Sequence, residues 1–335
     1  MTKVVLVIAV AATLASIGSA TAQAPNLAGK NVTMIIGSGA GGGFDLWGRA
    51  VARHIGKHLP GKPTIVPQNM PGAGGLNAVN HIYTIAPKDG TVLGIILGTV
   101  ALGPLTGAAG ARFDPVKLTW VGTPTTQTNV CIAMARARVK TFRDLLVNEL
   151  IVGTSGVGSG SYIYAKALNG LLGTKFKLVS GFPFLSNVLL ALERNEVDGV
   201  CQPLDAILNL RPDWIIGKKV NVLFQGGARP KSELKGVPFI VDLARTPEEK
   251  LAIEFLYAGN NLGRPFIAPP DMAAEHIKML RDAFNATMKD PQFLAEAERQ
   301  KLDVAPEDGE NLSALIRKIY ATPKPIVNKV SELIK

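Results

Sequence analysis

The stretch that decides the fold begins Val32-Thr33-Met34-Ile35-Ile36, continues Gly37-Ser38-Gly39-Ala40-Gly41-Gly42-Gly43 and enters Phe44-Asp45-Leu46. The first piece is short, apolar and rich in β-branched residues, as a buried strand requires. The second is a glycine-rich turn. From Asp45 to Leu59 apolar residues recur at helical spacing: Leu46, Ala50, His54 and Ile55 share one side, while Arg49, Arg53 and Lys57 lie on another. Pro60-Gly61 ends that helix. The three pieces form a strand–turn–helix unit.

Working outward, the unit repeats. Thr64-Ile65-Val66 reads as a second strand, Pro71-Gly72-Ala73-Gly74-Gly75 as another glycine-rich turn, and a helix follows through Ile82. Asp89-Gly90 turns the chain into a strand from Thr91 to Leu97. Downstream, Leu150-Ile151-Val152-Gly153 leads into Thr154-Ser155-Gly156-Val157-Gly158-Ser159-Gly160-Ser161 and a helix from Tyr162 to Leu172. Strands are expected at Phe176–Val179 and Val197–Cys201, with a helix at Val188–Arg194 between them. The pattern predicts an α/β fold with mainly parallel central sheets, in two similar units. The tail after Pro269-Pro270 reads as helices, with Ile277, Leu280, Phe284 and Met288 on one face and Leu312, Leu315, Ile316 and Ile319 on another. Helix starts are expected near Asp271 and Pro306, and the tail is assigned to the first unit.

The N-terminus has the form of a secretory leader. Lys3 supplies a positive charge, Val4 to Ile17 is apolar, and Ala20-Thr21-Ala22 offers small residues for cleavage after Ala22. The apolar run falls short of the ~20 residues a spanning helix needs. The expectation is a signal peptide over residues 1–22 and a periplasmic location. The remaining ~300 residues are of the size at which one core divides into two lobes.

Of the chain, 47% is apolar and 19% charged, and the formal net charge is +10. A positive balance suits nucleic acid, an acidic membrane or an anionic ligand. The basic residues are scattered, with no long Lys/Arg run and few aromatics beside them, which argues against nucleic acid. No histidine or cysteine cluster suggests a metal site, and no cofactor is expected. Cys131 and Cys201 both fall in strand-like segments; a disulfide and two buried thiols are equally compatible with their spacing.

A strand ending in a glycine-rich turn at a helix N-terminus makes an anion site from backbone alone. The first turn of a helix leaves N–H groups unpaired at the positive end of its dipole, and glycines let a ligand approach them. Such glycines also serve tight helix–sheet packing, but two matched turns favour binding. Gly37, Gly39 and Gly42 fit the dinucleotide pattern as well. That reading fails because Val66-Pro67-Gln68-Asn69 carries no ribose-binding acid, and there is no Walker lysine. His54 and His58 lie four apart without the acid of a metalloprotease helix, and no G-x-S-x-G turn occurs, so an exported hydrolase is disfavoured.

With these motifs in place, the chain resembles the substrate-binding receptors of tripartite tricarboxylate transporters, the Bug receptors. The resemblance rests on Ala40-Gly41-Gly42-Gly43-Phe44-Asp45, Asn69-Met70-Pro71-Gly72-Ala73-Gly74-Gly75, Pro87-Lys88-Asp89-Gly90-Thr91, Ser155-Gly156-Val157-Gly158-Ser159 and Phe266-Ile267-Ala268-Pro269-Pro270, in that order. It implies a two-lobed periplasmic-binding-protein fold: lobe 1 over 25–125 and 259–335, lobe 2 over 126–258, with crossings near Gly122–Thr128 and Leu256–Pro265. It implies a monomeric receptor that delivers a small organic carboxylate to the transporter's membrane components and does no chemistry on it; a receptor feeding a membrane sensor kinase is the alternative. Carried over by position, the ligand set is Gly41, Gly42, Gly43 and Asp45 with Gly156, Gly158 and Ser159, binding mostly through backbone N–H groups and without an arginine clamp. The implied fold also sets the strand of Cys201 beside that of Cys131, making a disulfide an expectation. Three features depart from the family: Phe44 replaces a small hydroxyl residue, Met70 replaces an arginine, and Val179-Ser180-Gly181-Phe182-Pro183-Phe184 replaces a Val-Pro-Tyr-Lys-Gly-like segment. Phe44 and Phe182, with Phe184, point to an aromatic or partly apolar acid rather than a polyhydroxy acid.

Overall fold

The computed structural model describes residues 25–108, 110–156, 159–182 and 184–334; the expected signal peptide and Gly158 lie outside them. The chain first runs β1 (Asn31–Ile36), α1 (Gly43–Ile55), β2 (Thr64–Asn69), α2 (Leu76–Thr84), β3 (Val92–Ile95), α3 (Gly103–Thr106) and β4 (Thr119–Thr123). It crosses to a second sheet with β5 (Asn129–Met134), α4 (Phe142–Val147), β6 (Leu150–Thr154), α5 (Gly160–Leu172), β7 (Phe176–Ser180), α6 (Leu185–Glu193), β8 (Gly199–Pro203), α7 (Leu204–Leu210), α8 (Asp213–Ile216) and β9 (Val220–Gly226). It returns through α9 (Pro247–Leu256) and α10 (Ala258–Leu262) to β10 (Phe266–Ala268). The tail holds α11 (Ala274–Thr287), α12 (Pro291–Arg299), β11 (Glu307–Asp308), α13 (Gly309–Tyr320) and α14 (Lys324–Leu333).

The two sheets share one plan. Their orders are β11-β4-β10-β3-β1-β2 and β7-β6-β8-β5-β9. In the first, β2 and β3 flank β1 in parallel; in the second, β7 and β8 flank β6 in parallel. In each, the strand that follows a crossing, β10 or β5, inserts antiparallel between its neighbours. The sheets are therefore mixed, because a chain arriving from the other lobe enters against the direction of the strands it joins.

Period-two alternation explains the layering. Val32, Met34 and Ile36 of β1 pack with Trp47, Ala50, Val51 and Ile55 of α1, while Ile35 faces Val79 and Ile82 of α2 on the other side. The apolar face of α1 is thus turned slightly from the expected one: Leu46 is exposed and Trp47 is buried. Gly48 lets α1 approach β1 closely, since a Cβ there would sit 2.9 Å from Cγ1 of Ile36. His54 and His58 face α12, each 2.7 Å from a carboxylate, Glu296 and Asp290 respectively. Cap positions settle the tail helices differently from expectation: Ala273 and Asp308 occupy the N-caps of α11 and α13, and only Asp308 caps with its side chain. The tail also divides. α11 and α13 pack on β4, but α14 lies against α9 and α5 of the second lobe, with Leu333 filling the space a side chain at Gly170 would need. It also meets α3 of the first lobe, so its apolar face, Ile326, Val327 and Val330, packs where the two lobes adjoin.

In the second lobe Cys131 of β5 and Cys201 of β8 stand directly opposite in the antiparallel pair and are joined by a disulfide. Both are buried in a core that includes Leu168 and Phe224. No helix among the described residues is long and apolar enough to cross a membrane.

Candidate functional site between the lobes

The first glycine-rich turn leaves the end of β1 with Gly37 donating to the Ile95 carbonyl (2.9 Å), and Met70 donating to the Ile36 carbonyl (2.8 Å). The backbone then reverses at Gly41, whose φ of +82° lies in the left-handed region that glycine tolerates. Gly42 is the N-cap of α1 and has no side chain to cap it. The first-turn N–H groups therefore lack a side-chain acceptor, and Gly41, Gly42 and Gly43 are all exposed.

Asp45 is buried and turned inward. One carboxylate oxygen accepts the Gly41 N–H at 2.9 Å; the other accepts Arg49 Nε and Asn69 Nδ2, each at 2.9 Å. Asn69 donates in turn to the Ser38 carbonyl (3.0 Å), so one small network fixes the whole turn. Burial alone would raise the Asp45 pKa, but these hydrogen bonds outweigh it and hold the group below the usual carboxylate range. Asp45 and the Gly41 N–H are thus engaged with each other, while the first-turn N–H groups of Gly43 and Phe44 have no capping side chain.

The matching loop in the second lobe is built on Ser159. Its hydroxyl donates to the Gly156 carbonyl (2.7 Å), and its oxygen lies 3.4 Å from the Tyr162 N–H as the N-cap of α5. Phe182 is half-buried against the core of that lobe, and a Cβ at Gly153 would lie 3.3 Å from its ring. Phe184 is 71% exposed. Phe44 lies against a crossing segment: the Arg264 guanidinium stands 5.0 Å over its ring.

The crossings form the floor between the lobes. Arg264 donates its backbone N–H to the Thr123 hydroxyl (3.1 Å), and Gln127 donates to the Asn260 carbonyl (3.0 Å). Gly263 has φ +65°, and a Cβ there would overlap the Thr125 carbonyl. Beneath, Tyr164 stacks on Tyr257 with centroids 4.7 Å apart and donates to Asn260 Oδ1 at 3.0 Å.

A cavity of about 390 Å³ opens here, lined by Gly43 and Trp47 of the first lobe, Thr125 and Arg264 of the crossings, and Asp205 and Lys231 of the second lobe. Of the described site residues expected from the sequence, Gly43 alone lines it; Gly41, Gly42, Phe44, Asp45, Gly156, Ser159 and Phe182 do not. Arg264 was not anticipated; its signal was a charged residue, in Gly263-Arg264-Pro265, inside the segment expected to cross between lobes. Another cavity, of about 370 Å³, is lined by Phe239, Phe255 and Leu315; its only charged residues, Glu254 and Lys318, pair with each other at 3.2 Å, and it holds neither glycine-rich turn.

No family model matches the chain. It is 24% identical over 308 residues to the UPF0065 protein in the TAR-I ttuE-ttuC' intergenic region of Agrobacterium vitis, covering 90% of this chain and 84% of that protein. Among solved structures, a TctC solute binding protein from Polaromonas superposes with a TM-score of 0.69 at 18% identity, over 89% of this chain and 98% of that one. An R. palustris protein with adipate superposes with a TM-score of 0.59 at 17% identity, over 90% and 97%. Over nearly all its described length the chain resembles the substrate-binding receptors of tripartite tricarboxylate transporters, the Bug receptors, and it has the two-domain periplasmic-binding-protein fold of the TctC and BugD structures.

Proposed function

We propose that the chain is a periplasmic solute-binding receptor that captures a small organic carboxylate between its lobes and hands it unchanged to the membrane components of a tripartite tricarboxylate-type transporter. The observation that carries this reading is the uncapped N-terminus of α1 at the edge of the cavity between the lobes. A glycine cap leaves backbone donors and a positive dipole end facing a space of ligand size, and a carboxylate complements both. The lobes are taken as 25–125 with 259–335, and 126–258, and the signal peptide as residues 1–22. Gly43 and Phe44 N–H groups bind directly, while Asp45 and Ser159 shape the two turns. Gly156 and Gly158 supply the second lobe's donors on closure around the crossings. The adipate bound to a protein of the same fold supports a dicarboxylate with an apolar middle, which suits the Phe44 ring.

Thermal-shift measurements with malate, adipate and benzoate, each beside its uncharged amide, test the reading. Saturable one-to-one stabilisation by an acid and not its amide, with the acid recovered unchanged, is expected. Stabilisation by none of the acids would overturn it.

A further inference from the structure

Arg264 is 8% exposed, and its Nε has no hydrogen-bond partner. Its one ion pair runs from Nη2 to Asp205 at 3.4 Å, long for such a bond, and the Asp205 side chain is half exposed to solvent. The guanidinium lies against the N-terminus of α1: a Cβ built on Gly43 would sit 2.6 Å from Nη1. A buried permanent cation beside the positive end of a helix is unfavourable unless an anion lies between them. Burial pushes the Arg264 pKa down, with Asp205 opposing it, yet an arginine stays protonated and needs a counter-charge. The Phe44 ring lies 5.0 Å from the guanidinium, and Arg264 lines the cavity.

Resting on the carboxylate-receptor reading, we infer that Arg264 is the charged anchor for one carboxylate of the ligand, and that Asp205 holds this position until the ligand displaces it. The incoming carboxylate bridges the guanidinium and the first-turn N–H groups of α1, combining a fork-shaped donor with backbone donors. Asp205 is a carboxylate in the right place with poor geometry, so it keeps the empty site neutral and competes weakly. The arrangement selects acids over amides of the same shape, because only a full negative charge satisfies both the cation and the helix end.

Titration calorimetry of adipate, malate and benzoate, and of adipic monoamide, against the wild type and the variants Arg264→Gln, Arg264→Lys and Asp205→Asn tests this. For the acid that binds best, Arg264→Gln is expected to weaken affinity by about 10- to 100-fold, as loss of a charged hydrogen bond does. The preference for adipate over its monoamide falls with it. Arg264→Lys recovers part of the loss, since the ammonium keeps the charge without the fork. Asp205→Asn, on an exposed side chain, tightens binding several-fold by removing the competitor. Unchanged affinity in Arg264→Gln overturns the anchor while leaving the receptor reading intact. If Arg264→Gln does not fold, Arg264→Lys with wild-type affinity, or Asp205→Asn with weakened affinity, overturns it instead. A wild type that binds none of the acids overturns both.

Discussion

The Asp45 carboxylate accepts the Gly41 backbone N–H across four residues, at 2.9 Å, and this bond draws the glycine-rich turn against the start of α1. The acidic residue of the motif thus works inward: it gives the turn its shape instead of offering a negative group to an anionic ligand. Replacing it by alanine removes the acceptor of the Gly41 N–H and of Arg49 Nε, while Asn69 keeps the Ser38 carbonyl. A loss of about 1–3 kcal/mol of stability is expected in Asp45→Ala, together with weaker acid binding, measured by urea unfolding and calorimetry.

The same bond predicts a pH dependence. The folded pKa of Asp45 is lowered, so its stabilisation is fully present above the unfolded value of about 4 and is lost as pH falls through the folded value. Thermal unfolding between pH 6 and pH 3 should show a steeper fall for the wild type than for Asp45→Asn. Parallel curves would remove Asp45 from the acid sensitivity.

Gly42 and Gly43 differ in what surrounds them. A Cβ at Gly42 would meet nothing closer than the Gly39 carbonyl at 3.9 Å, and the φ of −86° suits any residue. Gly42→Val should therefore fold with a melting temperature near that of the wild type while losing affinity at least tenfold, because its methyl groups stand over the first-turn donors. Equal affinity in the two proteins would mean the ligand does not approach this turn.

Two glycines with positive φ separate strain from contact. Gly41 has open space where a Cβ would go, so Gly41→Ala carries only the left-handed cost of about 1–2 kcal/mol. At Gly263 the same change also drives a Cβ into the Thr125 carbonyl on the other crossing. Gly263→Ala is expected to lose about 3 kcal/mol or more, read by urea unfolding of both variants side by side.

Cys131 and Cys201 close a loop of 70 residues in the second lobe. Removing the bond in a Cys131→Ala/Cys201→Ala double variant should cost about 2–4 kcal/mol. Thiol titration of the unfolded wild type without reductant should find no reactive thiol.

Much of this molecule was legible in the sequence where local chemistry dominates. Val32–Ile36 reads as a strand because β-branched residues are buried on both faces; the helix expected to run to Pro60-Gly61 instead ends at Ile55, and a 3-10 turn over Gly56–His58 fills the gap. The disulfide needed the fold: only the antiparallel insertion of β5 sets Cys131 opposite Cys201. The tail was less legible, since the apolar face of α14 does not say that elements of both lobes will cover it. Arg264 escaped notice for a similar reason. Its role depends on Gly43, Phe44 and Asp205, which lie far away in sequence and meet it only once both crossings are formed.

The proposed function places a carboxylate between the lobes on the open N-terminus of α1. A crystal structure of the protein with its best-binding acid tests it most directly. The expected result is a carboxylate within hydrogen-bond distance of the Gly43 or Phe44 N–H groups and of the Arg264 guanidinium. An acid seated instead in the cavity beside Phe239, Phe255 and Leu315, with the α1 terminus unoccupied, would contradict it.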